Sequence, residues 1–165
     1  MAGRISLAPL AHIPRSALAI MREVGRHILH RPVVGVLAVA CDEEGRFLLI
    51  RRADTGTWCM PGGTVDWGET VREAIIREVR EETGARVLSV GELVGVYGRP
   101  DRDLRFHAVT IVVKVLVDAS RLGVSNPLEI REARLFEQDC IPRELAMGTS
   151  DMLRDGIAGR VGVVE

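Results

Sequence analysis

Gly63-Thr64-Val65-Asp66-Trp67-Gly68-Glu69-Thr70-Val71-Arg72-Glu73-Ala74-Ile75-Ile76-Arg77-Glu78-Val79-Arg80-Glu81-Glu82-Thr83-Gly84-Ala85 is a glycine-led loop running into a helix with a contradictory face. The helix is predicted over Thr70 to Thr83, with Gly84 as its stop, since glycine accepts the left-handed conformation that ends a helix. On a wheel of about 100° per residue, Val71, Ala74 and Ile75 fall within about 60° of Glu78 and predict a buried stripe. One turn later the same face carries Glu78, Glu81 and Glu82, spaced i, i+3 and i+4.

A solvated face is one account of these carboxylates. Glu73, Arg77 and Glu81 stand at successive i+4 steps and can form an ion-pair ladder worth a few tenths of a kcal/mol per pair. Against it, Glu78 and Glu82 are like charges one turn apart, with no basic residue four positions away on the same helix. Such a pair costs about 0.2–0.5 kcal/mol when exposed, and more when desolvated. A bound divalent cation removes that cost, and hard oxygen donors suit Mg²⁺, with Mn²⁺ as a substitute. Gly62 and Gly63 precede the helix and can bring bare backbone amide and carbonyl groups close to a ligand. Mg²⁺ is commonly shared between a few carboxylates and substrate phosphates, so this stretch predicts a phosphate-bearing substrate.

Gly63, Glu69 and the run Arg77-Glu78-Val79-Arg80-Glu81-Glu82-Thr83-Gly84-Ala85 resemble the signature of the Nudix hydrolases, and the preceding Trp58-Cys59-Met60-Pro61-Gly62-Gly63 is similar to that family's lead-in. The one departure is Ala85, where a larger aliphatic residue is usual. The resemblance implies an α/β/α sandwich on a mixed β-sheet. It also implies Mg²⁺-dependent hydrolysis of a pyrophosphate bond in a nucleoside diphosphate linked to another moiety. It implies Glu78, Glu81 and Glu82 as metal ligands and catalytic carboxylates, the Gly62 carbonyl as a further ligand, and an ion pair between Glu69 and Arg77 that supports the box. Arg52, at the end of the preceding strand, corresponds to an arginine that contacts substrate phosphate in relatives, and a rim arginine is the alternative. Glu129 and Glu132 stand where several relatives carry an accessory glutamate, and either is a candidate general base.

Outward from the box, Val33 to Ala40 is a β-branched apolar run, Asp42 to Gly45 a turn, and Phe47 to Arg52 a return strand, which together predict a hairpin. Ala53 to Gly68 is turn-rich. Strands are expected at Val87–Tyr97, His107–Val117 and, last, Glu129–Phe136, with a closing helix over Ser150–Gly159. Pro14 opens a helical pattern carried by Leu18, Met21, Val24 and Ile28 and ended by Pro32. Residues 1–30 therefore form an N-terminal extension with an extra helix, and residues 31–165 the hydrolase domain. Capping of a sheet edge and a homodimer contact are both open roles for that helix.

A chain of 165 residues supports one core without disulfides or structural metal. Lys+Arg 22 against Asp+Glu 23 gives a net charge of −1, which argues against a nucleic-acid partner. The longest uncharged apolar run, Val33 to Cys41, is far short of a membrane helix. Cys41, Cys59 and Cys140 are scattered and odd in number, as expected of buried thiols in a reducing, cytoplasmic compartment. Two prolines and His12 interrupt the N-terminal apolar stretch and argue against a secretory signal.

The loop from Gly98 to Arg105 holds Arg99, Arg102 and Arg105, which are either solvated or cations for a diphosphate. Pro100 lies 15 residues beyond Ala85, a position similar to the proline that marks ADP-ribose pyrophosphatases. A small-molecule nucleotide, with ADP-ribose or a nucleotide sugar favoured, is therefore the expected substrate. Hydrolysis of nucleoside triphosphates and a non-catalytic nucleotide-binding module are the alternatives. His107 and Trp58 read first as packing residues, and Tyr97 is divided between packing and substrate contact.

Overall fold

The computed structural model describes residues 15–29, 31–103 and 105–165. They fall in two compact units, residues 1–31 and 32–165. The first holds helix α1, Arg15–Leu29; Pro14, His12, and the side chains of Leu18, His27, Ile28 and His30 lie outside the described residues.

In the second unit, β1 (Val33–Cys41) turns through Asp42–Arg46 into antiparallel β2 (Phe47–Arg52), and the register Cys41 opposite Phe47 closes the expected hairpin. Asp42 holds the turn, accepting from the Arg46 amide at 2.9 Å and from its Nε at 2.8 Å. The chain then forms β3 (Trp58–Cys59), β4 (Gly62–Thr64), α2 (Val71–Thr83), β5 (Arg86–Tyr97), β6 (Ala108–Asp118), β7 (Ile130–Phe136), α3 (Ser150–Ile157) and β8 (Val163–Val164). The strands make one mixed sheet in the order β3-β2-β1-β6-β5-β8, with β4 added to β1 and β7 to β2. β1 runs parallel to β6, and β5 antiparallel to β6.

β1 shows why the sheet has two covered faces. Val36, Ala38 and Ala40 pack with Ala74, Ile75 and Val79 of α2, whereas Leu37 and Val39 pack with Met152 and Leu153 of α3. Alternate residues thus enter opposite cores, so a strand buried on both sides reads as a continuous apolar run. This is the expected α/β/α sandwich.

Helix α2 is specified at both ends. The Thr70 hydroxyl accepts from the Glu73 amide, and Glu73 accepts from the Thr70 amide at 2.8 Å, a reciprocal cap. Glu73 is thereby committed to the cap, and the proposed Glu73–Arg77–Glu81 ladder loses its first rung. Gly84 ends the helix at φ +71°, and an added Cβ would lie 2.8 Å from Gly123 backbone atoms. Ala85 is fully buried against the α2 core, so its small size is a packing choice.

Three expectations are corrected. β7 is not the last strand, because β8 pairs parallel to β5 through two residues, too short a segment to show a period. The turn-rich stretch contains β3 and β4, and the glycines of β4 are held as strand by pairing to β1 despite poor intrinsic propensity. Cys59 is buried, but Cys41 is only partly covered and Cys140 is exposed.

Candidate active site

β4 and α2 build the centre of the site. Gly62 pairs with Leu37 of β1 between the ladder contacts made by Pro61 and by Val65. A residue at such a non-hydrogen-bonded position turns its amide and carbonyl away from the partner strand. The Gly62 N–H accordingly donates to Glu82 Oε2 at 2.8 Å. Gly62 has φ +152°, and a Cβ there would stand 2.1 Å from the Val36 carbonyl oxygen. At Gly63 a Cβ would lie 2.3 Å from Glu78 Oε1, so the carboxylate rests directly on the strand backbone.

Arg77 ties loop and helix together. Its Nε and Nη2 each donate to Glu69 at 2.8 Å, Nη2 also reaches the Thr64 carbonyl at 3.1 Å, and Nη1 donates to Glu78 Oε1 at 2.8 Å. Glu81 is half-exposed, with Oε2 3.7 Å from Arg77 Nη1. Burial pushes the Glu78 carboxyl up, against the pull of Arg77. Burial also pushes Glu82 up, to about 8, and the Gly62 amide only partly offsets it. The three carboxylates share one face of α2, with Glu78 and Glu81 turned to Arg77 and Glu82 to the Gly62 amide, and among the described residues no three Cys, His, Asp or Glu side chains converge on one point.

Beside β4 lies a cleft of about 150 Å³ floored by Gly35–Leu37 of β1 and by Gly62 and Gly63. Arg52, Arg99, Arg102 and Arg105 line it, together with Phe106, Met147 and Met152. All six residues expected to bind substrate are thus brought to one concavity. Arg52 follows a shift in the β2–β7 register between Arg51 and Arg52, an irregularity of the kind that re-aims a side chain.

The arginines are not equivalent. Arg52 pairs with Asp54 at 2.6 Å, Arg99 with Asp101 at 3.0 Å and Arg105 with Asp103 at 2.7 Å, each partner two residues away. Asp54 and Asp101 are exposed and Asp103 is largely buried; exposed pairs are worth about 0–1 kcal/mol, so a phosphate can displace the carboxylates of Asp54 and Asp101. Arg102 is only 10% exposed, and all five of its N–H groups are committed to Gly148, Asp151 and Glu165. Arg102 thus lines the cleft with every N–H group already paired, unlike Arg52, Arg99 and Arg105.

The two candidate bases separate. The negative charge of Glu129 is felt at Glu82 and helps raise it, whereas Glu132 pairs with Arg134 at 2.6 Å. Ala133 and Leu135 pack on the α2 side, so strand alternation turns Glu132 to the opposite face. Trp58 packs edge-on against Phe136, with ring centroids 4.8 Å apart, as a core anchor. Tyr97 is buried and donates to Asp155 at 2.9 Å, and His107 Nε2 lies 2.8 Å from the Gly98 carbonyl. Phe106, Met147 and Met152 are cleft residues that sequence reading missed. Nothing in their local pattern marks them, because they meet the cleft through tertiary packing.

The family model for the NUDIX domain matches residues 30–155. The chain belongs to the Nudix family. It is 37% identical over 133 residues to a protein of Methanocaldococcus jannaschii named ADP-ribose pyrophosphatase, covering 79% of this chain and 75% of that protein. Among solved structures, a MutT NUDIX hydrolase from Burkholderia pseudomallei aligns with a TM-score of 0.66 at 31% identity, over 76% of this chain and 98% of that one. The NUDIX domain of Shewanella oneidensis NrtR, solved with ADP ribose, aligns with a TM-score of 0.72 at 17% identity, over 89% and 99%, and shares the fold. This Nudix hydrolase is thus a pyrophosphohydrolase of a family that acts on small nucleotide substrates and generally uses divalent metals. None of its helices, among the described residues, is long and apolar enough to cross a membrane.

Proposed function

We propose that this Nudix hydrolase cleaves the pyrophosphate bond of ADP-ribose, or of a related nucleoside diphosphate sugar, to a nucleoside monophosphate and a sugar phosphate. One observation carries the reading: the Gly62–Gly63 strand forms the floor of the arginine-lined cleft and also touches the carboxylates of α2. A diphosphate lying on that strand has arginines on one side and acidic oxygens on the other. The apolar surface of Phe106 and Met147 is available to the groups that flank the diphosphate, with the buried Met152 behind them. The relative named ADP-ribose pyrophosphatase supports this substrate over a triphosphate.

The donor set fits Mg²⁺ or Mn²⁺. Glu78, Glu81 and Glu82 supply hard oxygens, the non-hydrogen-bonded position of Gly62 turns its carbonyl away from the β1 ladder, and the space a Cβ at Gly63 would fill is taken by the Glu78 carboxylate. Bound there, the metal neutralises phosphate oxygens and lowers the pKa of the attacking water. The protein does the rest. Arg52 and Arg99 exchange their exposed carboxylate partners for phosphate oxygens, Arg105 offers its exposed guanidinium beside Asp103, and the three hold the developing charge. The Arg77–Glu69 pair keeps the loop fixed on α2. The Glu129 carboxylate takes the proton of the water as its oxygen bonds to phosphorus, and the bridging oxygen leaves with the departing phosphate.

The test is hydrolysis by the purified protein with Mg²⁺, comparing kcat/KM for ADP-ribose and for the common nucleoside triphosphates. AMP and ribose 5-phosphate are expected from ADP-ribose. A higher kcat/KM for any triphosphate, with release of inorganic pyrophosphate, overturns the substrate. No turnover of any nucleotide identifies a binding module instead.

A further inference from the structure

We infer that Arg102 is a positioning residue: it sets the loop wall of the cleft by tying that loop to α3 and to Glu165, and it does not hold the substrate. This rests on reading the cleft as the nucleoside diphosphate site. The Arg102 Nε donates to Glu165 at 2.8 Å. Nη1 donates to the Gly148 carbonyl at 2.6 Å and to Asp151 Oδ1 at 2.9 Å, while Nη2 donates to Asp151 Oδ2 at 2.7 Å and to Glu165 Oε1. A guanidinium has five N–H groups and no more, so none remains for a phosphate.

The reach of these bonds separates Arg102 from its neighbours. Arg99 and Arg105 pair with Asp101 and Asp103, residues of the same loop. Those ion pairs stay within the loop, whose one further side-chain tie from these two residues is Arg105 Nη2 to Met147 Sδ at 2.9 Å. The partners of Arg102 lie 46 to 63 positions away, in the turn before α3 (Gly148), on the first turn of α3 (Asp151) and beside β8 (Glu165). Glu165 also accepts from the Arg99 amide at 3.2 Å, so backbone and side chain of the loop meet one carboxylate. The Arg102 guanidinium lies 5.4 Å from the centroid of the Tyr97 ring, and Tyr97 in turn donates to Asp155 of α3.

The clamp also holds a strained segment. Met147 lines the cleft at φ +57°, a conformation that side chains other than glycine adopt at a cost. The next residue, Gly148, gives its carbonyl to Arg102. The Arg102 guanidinium therefore ties the loop that presents Arg99, Arg105 and Phe106 to the turn that presents Met147, and the Arg105 contact to Met147 Sδ runs alongside it. Without it, Asp151 and Glu165 face each other as unneutralised like charges, and the wall opens.

The experiment compares wild type with Arg102→Lys, Arg102→Gln and the double variant Asp151→Asn/Glu165→Gln. Steady-state kinetics with ADP-ribose and Mg²⁺ are paired with amide hydrogen exchange of the substrate-free protein. A positioning role predicts that all three variants raise KM about tenfold with a much smaller change in kcat. Lysine fails to rescue, because an ammonium lacks the fork that spans both carboxylates. Exchange then speeds up at residues 99–103 and 147–151 with no substrate present. A direct phosphate contact predicts the reverse: rescue by lysine, unchanged exchange, and a lower KM in the double variant, where Arg102 is freed of its partners. That outcome overturns the inference. If Arg102→Gln does not fold, the lysine and double variants still give opposite signs under the two accounts. If wild type does not hydrolyse ADP-ribose, the substrate reading falls, and hydrogen exchange alone decides the clamp.

Discussion

The carboxylate of Glu78 rests on the backbone of Gly63, where a Cβ would intrude to 2.3 Å from Oε1. Its neighbour Gly62 has a different constraint, since a Cβ there meets the Val36 carbonyl oxygen of β1 at 2.1 Å. A flexible side chain can move aside, and a strand backbone inside a sheet cannot.

Alanine at the two glycines should therefore fail in different ways. Gly63→Ala displaces Glu78 and should lower kcat by about tenfold or more while costing less than about 1 kcal/mol of stability. Gly62→Ala forces β4 off β1 and should cost more than about 2 kcal/mol. Thermal unfolding alongside kinetics checks both, and equal stability losses in the two variants would refute the distinction.

Activity should require a divalent cation. Glu81→Gln or Glu82→Gln should reduce turnover by about 10²-fold or more with the fold intact, judged by circular dichroism. Full activity in excess chelator, or in both variants, would show that α2 holds no catalytic metal.

Stability of the metal-free protein should fall with pH above the ordinary carboxyl range. Burial raises Glu82 from 4.5 to about 8 and moves Glu78 in the same direction. The folded state then binds more protons than the unfolded state between these values. The contribution is complete below about 4.5 and is lost as pH rises through about 8. Carboxyls held low by arginines, such as Asp54 and Glu69, act with opposite sign and only at acid pH. Melting temperatures measured in chelator from pH 5 to pH 8.5 should decline, and Glu82→Gln should flatten that decline. Mg²⁺ should stabilise more at pH 8 than at pH 6, because it binds the ionised carboxylates. A flat profile for wild type would contradict the burial of Glu82.

The two accessory glutamates should also separate. Glu129→Ala should lower kcat by about 10²-fold or more and change the pH profile. Glu132→Ala loses an ion pair with Arg134 on the other face and should leave turnover unchanged, with a stability change within about 0.5 kcal/mol. Unchanged turnover in Glu129→Ala would return the base to α2.

What the amino-acid sequence determined by itself was local. The ends of α2 are written in Thr70, Glu73 and Gly84, within one turn of the residues they cap. Its carboxylate face follows from spacings of three and four, and the β1–β2 hairpin from a short turn between two apolar runs. Tertiary structure decided the rest. β4 is a strand because β1 offers it a partner, and β8 is two residues long and has no pattern to show. Arg52 reaches the cleft after a register shift, and Glu129, just before β7, parts company with Glu132, which the strand turns to the face of Arg134. Arg102 is the clearest case. Beside Arg99 and Arg105 it reads as one of three similar loop cations, yet its partners Asp151 and Glu165 lie 49 and 63 residues further along the chain. A helix cap or a hairpin is stabilised by groups already close in the chain. The function of a buried cation depends on which distant groups the core brings to it, and no local periodicity records that.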